Sequence, residues 1–191
     1  MALDSESRWR LVRMMKAKGL QSDSSAEPTI RPAAEADLGA MVEIYNYYIQ
    51  NSVVTFDMEP MNLGDWSAKY KWIQDLGLPF IVAESPSKQI IGFAYVAPWR
   101  QKAAFKRTVE DSIYLRPAAI GKRVGTKLLT ELLALAKAAG VKEVVAVISD
   151  KGAESSIALH ERFGFKHQGH LGKVGFKFGR WLGTVLMQKS L

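Results

Sequence analysis

Residues 108–126 read TVEDSIYLRPAAIGKRVGT, and the fold turns on them. The first eight, with β-branched Thr108, Val109 and Ile113, predict a strand that Pro117 stops. After the turn, Val124, Leu128, Leu132, Leu135 and Ala139 recur on one face of a helix spanning about Lys122 to Ala139, and Gly140 stands where a C-terminal cap belongs. A glycine-containing turn that opens a helix points unpaired N–H groups outward at the positive end of the helix dipole, where a pyrophosphate docks. Glycines at such turns also serve packing alone. Gly121 and Gly125 fit neither the Lys-Ser/Thr ending of a nucleoside-triphosphate loop nor the three-glycine dinucleotide spacing, so those two chemistries are excluded.

Working outward, helix and strand signals alternate. Upstream come a short strand at Thr29–Arg31 ended by Pro32, and a helix over Glu35–Gln50 with Leu38, Met41, Val42, Tyr45 and Ile49 as its stripe. A second helix runs from Asn62 through Trp66, Tyr70 and Ile73 until Gly77 and Pro79, and strands Phe80–Glu84 and Ile90–Ala97 are joined by Ser85-Pro86-Ser87-Lys88. Downstream, Val144–Ile148 is a continuous apolar run, predicting a strand buried on both faces, and Ser155–Arg162 reads as a short helix stopped by Gly164. The tail from Phe165 to Gln188 gives two strands broken by glycines. The order β, α, α, β, β, β, α, β, α, β, β specifies a single α/β domain around one mixed, mostly antiparallel sheet.

The chain has 191 residues, 48 % of them hydrophobic and 24 % charged, which suits one globular domain and excludes a disordered or collagen-like chain. With no cysteine, catalysis has to use oxygen or nitrogen groups. The net charge of +7 suits nucleic acid, an anionic membrane or a phosphorylated small molecule alike. No run of five or more Lys/Arg and no zinc-finger spacing is present, so no nucleic-acid partner is expected. No apolar stretch reaches bilayer length and no secretory leader is visible, so no membrane partner and a soluble, cytoplasmic protein are expected. Residues 1–28 form an extension in which Trp9, Val12 and Met15 fall at helical spacing among basic residues, a weak organellar presequence or a frayed tail, with Gln21–Pro28 as linker.

Five motifs in this order, TVEDSIYL, IGKRVGTKLL, VVAVIS, SSIALHERFGF and VGFKFGRWLGTVLMQ, together with IYNYYIQNSVVTFDMEP, resemble the phosphinothricin and methionine sulfoximine N-acetyltransferases of the GNAT superfamily. The resemblance covers Thr29–Leu191 and implies the GNAT fold, acetyl-CoA as donor, no metal, a small amino-acid-like amine as acceptor, and a homodimer. By position it implies that the backbone of Ile113, Tyr114 and Leu115 pairs with the pantetheine arm, that Gly121, Lys122, Arg123, Val124, Gly125 and Thr126 wrap the pyrophosphate, and that Ser156 joins the donor site. Three positions depart from the family pattern: Ile120 stands at a polar position, Arg123 at a glycine and Ala153 at a common asparagine.

Acetylating an ammonium group requires a base within direct or one-water reach. Glu110 is an acidic residue inside a strand, where propensity disfavours it. On the residues alone it is either that base or an edge-strand carboxylate; the resemblance implies the base. Alternation puts Thr108, Glu110, Ser112 and Tyr114 on one face and Asp111, the second candidate, on the other. His160 occupies a position where many relatives carry a tyrosine that reprotonates the leaving thiolate, although a lone helical histidine also simply packs or caps. Trp99, Arg100 and Phe56 are implied to line the acceptor site, with Arg100 matching a carboxylate bidentately. Tyr45, Tyr47, Tyr48 and Phe56 read first as core. The competing readings are an acetyltransferase of polyamines, aminoglycosides or protein N-termini, and a non-catalytic CoA-binding module.

Overall fold

The computed structural model describes residues 27–191. Readings that fall on residues 1–26, including the helical spacing of Trp9, Val12 and Met15 and the presequence, lie outside the described residues. Seven strands form one sheet in the order β1-β2-β3-β4-β5-β7-β6: β1 Thr29–Pro32, β2 Phe80–Glu84, β3 Ile90–Pro98, β4 Thr108–Leu115, β5 Glu143–Ser149, β6 Lys166–Lys177 and β7 Arg180–Ser190. All neighbours are antiparallel except β4 and β5. The helices are α1 Leu38–Asn51, α2 Leu63–Asp75, α3 Val124–Ala138 and α4 Glu154–Arg162.

Period-2 alternation in the central strands supplies two apolar faces, and each is covered. On one, Phe80, Val82, Phe93 and Tyr95 pack under α1 and α2 through Met41, Ile44, Tyr45, Trp66 and Ile73. On the other, Ile81, Ala83, Ala94, Val96 and Val109 meet Val124, Leu128, Leu129 and Leu132 of α3. The domain is therefore three layers with the sheet in the middle.

Several boundaries differ from the sequence expectation, each for a local reason. α3 begins at Val124 and not Lys122, because Gly121 (φ 79°) and Arg123 (φ 61°) both take left-handed conformations that a helix cannot include. Pro32 is the last residue of β1, opposite Ile81 on the edge strand, where its missing N–H costs no ladder bond. The tail glycines do not interrupt β6; they accompany register shifts at His167/Gly169 and Leu171/Gly175 within one continuous hairpin. Tyr45 is core, but Tyr47 is 40 % and Phe56 36 % exposed, so those two are not.

Gly92 is where β3 and β4 approach too closely for a side chain: a Cβ there would lie 2.5 Å from Leu115 Cδ2 and 3.0 Å from the Tyr114 carbonyl oxygen. Gly92→Ala is expected to cost about 1–3 kcal/mol, lowering Tm by roughly 2–4 °C for each kcal/mol. Thermal unfolding followed by circular dichroism checks this, and an unchanged Tm contradicts the packing account.

Candidate active site

β4 and β5 pair only over Thr108–Glu110 and Glu143–Val145, yet both strands run on. β4 stays with β3 as far as Leu115 opposite Gly92, while β5 follows β7 to Ser149 opposite Thr184. The sheet therefore splits along its length, leaving the facing backbones of residues 111–115 and 146–149 without each other as partners. A cavity of about 600 Å³ fills the split, lined by Glu110 to Leu115, Ala146 to Ser149, the turn before α3 and the first turns of α4. Unpaired strand edges of this kind accept an extended, amide-bearing ligand as an added strand. Tyr48 closes one end, its hydroxyl donating to the Leu115 carbonyl at 2.6 Å.

The N-terminus of α3 faces the same cavity. Its N-cap is Arg123, whose side chain makes no capping bond, and the amides of Val124, Gly125 and Thr126 have no hydrogen-bond partner among the described residues. Such amides, with the helix dipole behind them, form an anion site. Gly121, Arg123, Val124, Gly125 and Thr126 line the cavity, as do Ser156 and the half-exposed Ile120; Lys122 is exposed and outside the lining. The glycine expected at position 123 has a structural reason, since the backbone there is left-handed. Ala153 caps α4 without a side-chain bond, leaving that N-terminus bare too. The split strands and the bare helix end together fit a donor with a pantetheine-like arm and a pyrophosphate.

Glu110 lies where the two strands part. Its register partner is Ala97, and Tyr95 stands opposite Ser112, so Glu110, Ser112, Tyr114 and Tyr95 share the face covered by α1 and α2. Burial, helped by the neighbouring Asp111 charge and opposed by the Lys69 ammonium, pushes the Glu110 pKa up to about 7. A carboxylate with that pKa is divided between its two protonation states near neutrality, as a general base should be.

Asp111 points to the opposite face. There its Oδ2 meets His160 Nε2 at 3.0 Å, and His160 Nδ1 donates to the Ser156 carbonyl at 2.8 Å. Both side chains are almost fully buried. Because the carbonyl only accepts, Nδ1 carries a proton, and the Nε2–Oδ2 contact holds one more between imidazole and carboxyl. Burial on its own would lower the His160 pKa, but the Asp111 carboxylate and the Ser156 carbonyl more than offset it, and the net direction is up. His160 thus lines the cavity with both nitrogens engaged inside the protein. The other carboxyl oxygen of Asp111 is buried without a hydrogen-bond partner among the described residues.

Trp99, Arg100 and Phe56 lie outside this cavity lining. The Trp99 amide donates to the Thr108 carbonyl at 3.1 Å, and the exposed Arg100 guanidinium stacks 5.1 Å from the Trp99 ring centroid. Phe56 belongs to the α1–α2 loop and presses on β6, where a Cβ at Gly175 would overlap its ring. Sequence reasoning missed two other groups on the Glu110 side. Lys69 donates to the Tyr95 hydroxyl at 2.7 Å. Lys177, 2 % exposed, donates to the Thr55 carbonyl at 2.9 Å. Lys177 lies in a strand that otherwise reads as exposed, and nothing in its sequence spacing announces its burial.

The Acetyltransferase (GNAT) family pattern matches residues 41–165. The chain belongs to the GNAT acetyltransferase family. Among curated relatives, this GNAT chain is 38 % identical over 163 residues to phosphinothricin N-acetyltransferase of Alcaligenes faecalis, covering 85 % of this chain and 82 % of the relative. It is 37 % identical over 163 residues to an L-methionine sulfoximine/L-methionine sulfone acetyltransferase of Pseudomonas aeruginosa, covering 85 % and 94 %. Its fold superposes with TM-score 0.83 on a GNAT superfamily phosphinothricin acetyltransferase from Sinorhizobium meliloti in complex with acetyl-CoA, at 41 % identity over 87 % of this chain and 89 % of that one. The GNAT chain is thus an acetyl-CoA-dependent acyltransferase with the expected mixed sheet.

The left-handed Arg123 costs about 1 kcal/mol relative to glycine. Arg123→Gly is therefore expected to raise Tm by roughly 2–4 °C, whereas Arg123→Ala, which keeps the strain and loses the side chain, brings no such gain. Differential scanning calorimetry of the two variants separates backbone strain from side-chain effects.

Proposed function

We propose that this acetyltransferase transfers the acetyl group of acetyl-CoA directly to the primary amine of a small amino-acid-like acceptor of the phosphinothricin or methionine sulfoximine class. The half-buried Glu110, with a pKa near 7 at the point where the strands split, carries the reading. The relatives' names support the acceptor class. Residues 29–191 are the catalytic unit.

In this reading the donor's thioester lies in the split between β4 and β5, its arm against Ile113, Tyr114 and Leu115, its pyrophosphate at Gly121–Thr126 with Lys122 at the rim, and Ser156 on the α4 side. The acceptor approaches from the α1–α2 face, with Phe56 and Trp99 towards its outer end. Glu110 accepts one proton from the ammonium, freeing the nitrogen lone pair to attack the thioester carbonyl as the C–S bond breaks. A second proton leaves the nitrogen for the thiolate, so the transfer balances, and Glu110 returns its proton to solvent. His160 holds Asp111 and the α4 side of the split in place, a positioning role that suits a ring with both nitrogens occupied.

The same reading includes a homodimer. Leu171, Val174, Phe176, Phe178 and Trp181 of the β6–β7 hairpin are each between 52 % and 56 % exposed, and Phe176 and Trp181 are in edge contact at 5.3 Å. A cluster of large apolar side chains at one hairpin marks an association surface. Light scattering should give about twice the 21.2 kDa chain mass, and Trp181→Glu combined with Phe176→Ser should give the monomer.

Only the carboxylate form of Glu110 is competent, so kcat/KM is expected to rise with pH through a limb centred near 7. Glu110→Gln is expected to lose about 10²–10⁴-fold in turnover with acetyl-CoA binding retained. A raised carboxyl pKa favours the folded state below the unfolded value and loses that contribution as pH climbs through the folded value, so the glutamine variant should melt no lower than the parent at pH 8. Thiol release with methionine sulfone as acceptor, alongside thermal melts, tests this; near-parental kcat/KM in the variant refutes Glu110 as base.

A further inference from the structure

Besides His160, the lining of the cavity includes two basic residues, Arg123 and Arg162, and both are exposed. Neither belongs to an ion pair among the described residues. Glu27 feels the Arg123 charge but accepts its hydrogen bond from Lys127. The two arginines belong to different helices. Arg123 is the N-cap of α3, at the bare amides of Val124, Gly125 and Thr126. On α4, Ser155, Leu159 and Arg162 recur at helical spacing and all line the cavity, so one stripe of that helix borders it. Leu159 locates the stripe: a Cβ on Gly125 would lie 3.5 Å from Leu159 Cδ2. Arg162 follows about 4.5 Å further along the helix, beside the first turn of α3.

A pyrophosphate diester is already served by three free amides and the helix dipole behind them. Coenzyme A carries a third phosphate, a monoester on its ribose, with about 1.5–2 negative charges near neutrality. We infer that Arg162, together with Arg123 on the facing helix, forms a specificity site for that ribose phosphate, by which the enzyme prefers CoA to dephospho-CoA. A guanidinium presents paired N–H donors that match the oxygens of a terminal phosphate, which a lysine meets only as a point charge. The backbone of Arg123 supports the assignment. Glycine would relieve its left-handed geometry, yet the position holds a long cation, and strain of this kind collects at ligand sites. The acidic residues of the lining, Glu110 and Asp111, are adjacent on β4, and Asp111 is engaged with His160. The cavity is therefore acidic where the strands part and cationic between the helices. The inference rests on acetyl-CoA as donor and is independent of the acceptor.

Isothermal titration calorimetry tests this with CoA and dephospho-CoA, which lacks the ribose phosphate, on the parent, Arg162→Gln, Arg162→Lys and Arg123→Gly. Lys137→Gln, in the last turn of α3 and about 21 Å from Arg123 at helical rise, controls for net charge. The parent is expected to bind CoA tighter than dephospho-CoA by about tenfold or more. That ratio should fall towards one in Arg162→Gln, fall less in Arg162→Lys and Arg123→Gly, and stay unchanged in Lys137→Gln. Phosphorus NMR of bound CoA gives a second readout: the monoester should titrate at lower pH on the parent than on Arg162→Gln, a change that lost packing does not produce. A parent ratio near one overturns the inference, and so does a ratio that Arg162→Gln leaves constant because both ligands weaken alike or neither does. If Arg162→Gln fails to fold, a parental ratio in Arg162→Lys overturns it. A folded parent that binds neither ligand overturns the donor assignment and this inference with it.

Discussion

Everything chemical in this molecule depends on a pairing that stops. Had β4 and β5 continued their parallel ladder beyond Glu110 and Val145, residues 111–115 and 146–149 would have satisfied each other, and the domain would be a closed sheet without a cavity. Each strand is instead held by its outer neighbour, β3 on one side and β7 on the other, while the inner edges separate. Leaving backbone groups unpaired inside a protein is costly, and a ligand of extended amide character recovers that cost. The bare N-terminus of α3 adds an anion site at one end of the same opening, so one interruption of pairing yields both the slot and its charged terminus.

The two faces of β4 then divide the labour. Successive residues Glu110 and Asp111 point to opposite sides and meet different surroundings. Glu110 lies beside aromatic residues and feels the Lys69 ammonium, and burial makes it hold its proton more tightly than an ordinary carboxyl, up to about pH 7. Asp111 faces a buried imidazole and shares one proton with it. Two adjacent carboxyl groups are thus given distinct surroundings by strand alternation alone.

Much of this was legible in the residues. Alternation and breakers located β2 and β4 to the residue, and the apolar stripe found α3 with an error only where Gly121 and Arg123 turn left-handed, a backbone state that Arg123 does not advertise. Motif resemblance singled out the turn before α3 and Glu110, both of which line the cavity. What stayed hidden was long-range. The meeting of Asp111 with His160 spans 49 positions, that of Lys69 with Tyr95 spans 26, and no local pattern encodes either. The strand split is invisible for the same reason, because β5 reads as an ordinary buried strand whichever neighbour it chooses. Tyr47 and Phe56 looked like core since aromatic content is a cue to burial, but not to which face of an element is covered.

Lys177 and Gly175 tie the β6–β7 hairpin to the loop after α1. The Lys177 ammonium is spent on the Thr55 carbonyl, Phe56 is seated where Gly175 has no side chain, and Asp57 receives the Tyr45 hydroxyl from α1. Lifting the 55–57 segment off the hairpin would break the hydrogen bond from the Lys177 ammonium, a loss of about 1.5–3 kcal/mol for a bond to a charged group. The 55–57 loop and the hairpin that bears the exposed aromatic cluster are therefore tied to each other by a buried hydrogen bond and a seated ring. Any partner that grips the hairpin therefore also acts on the 55–57 segment.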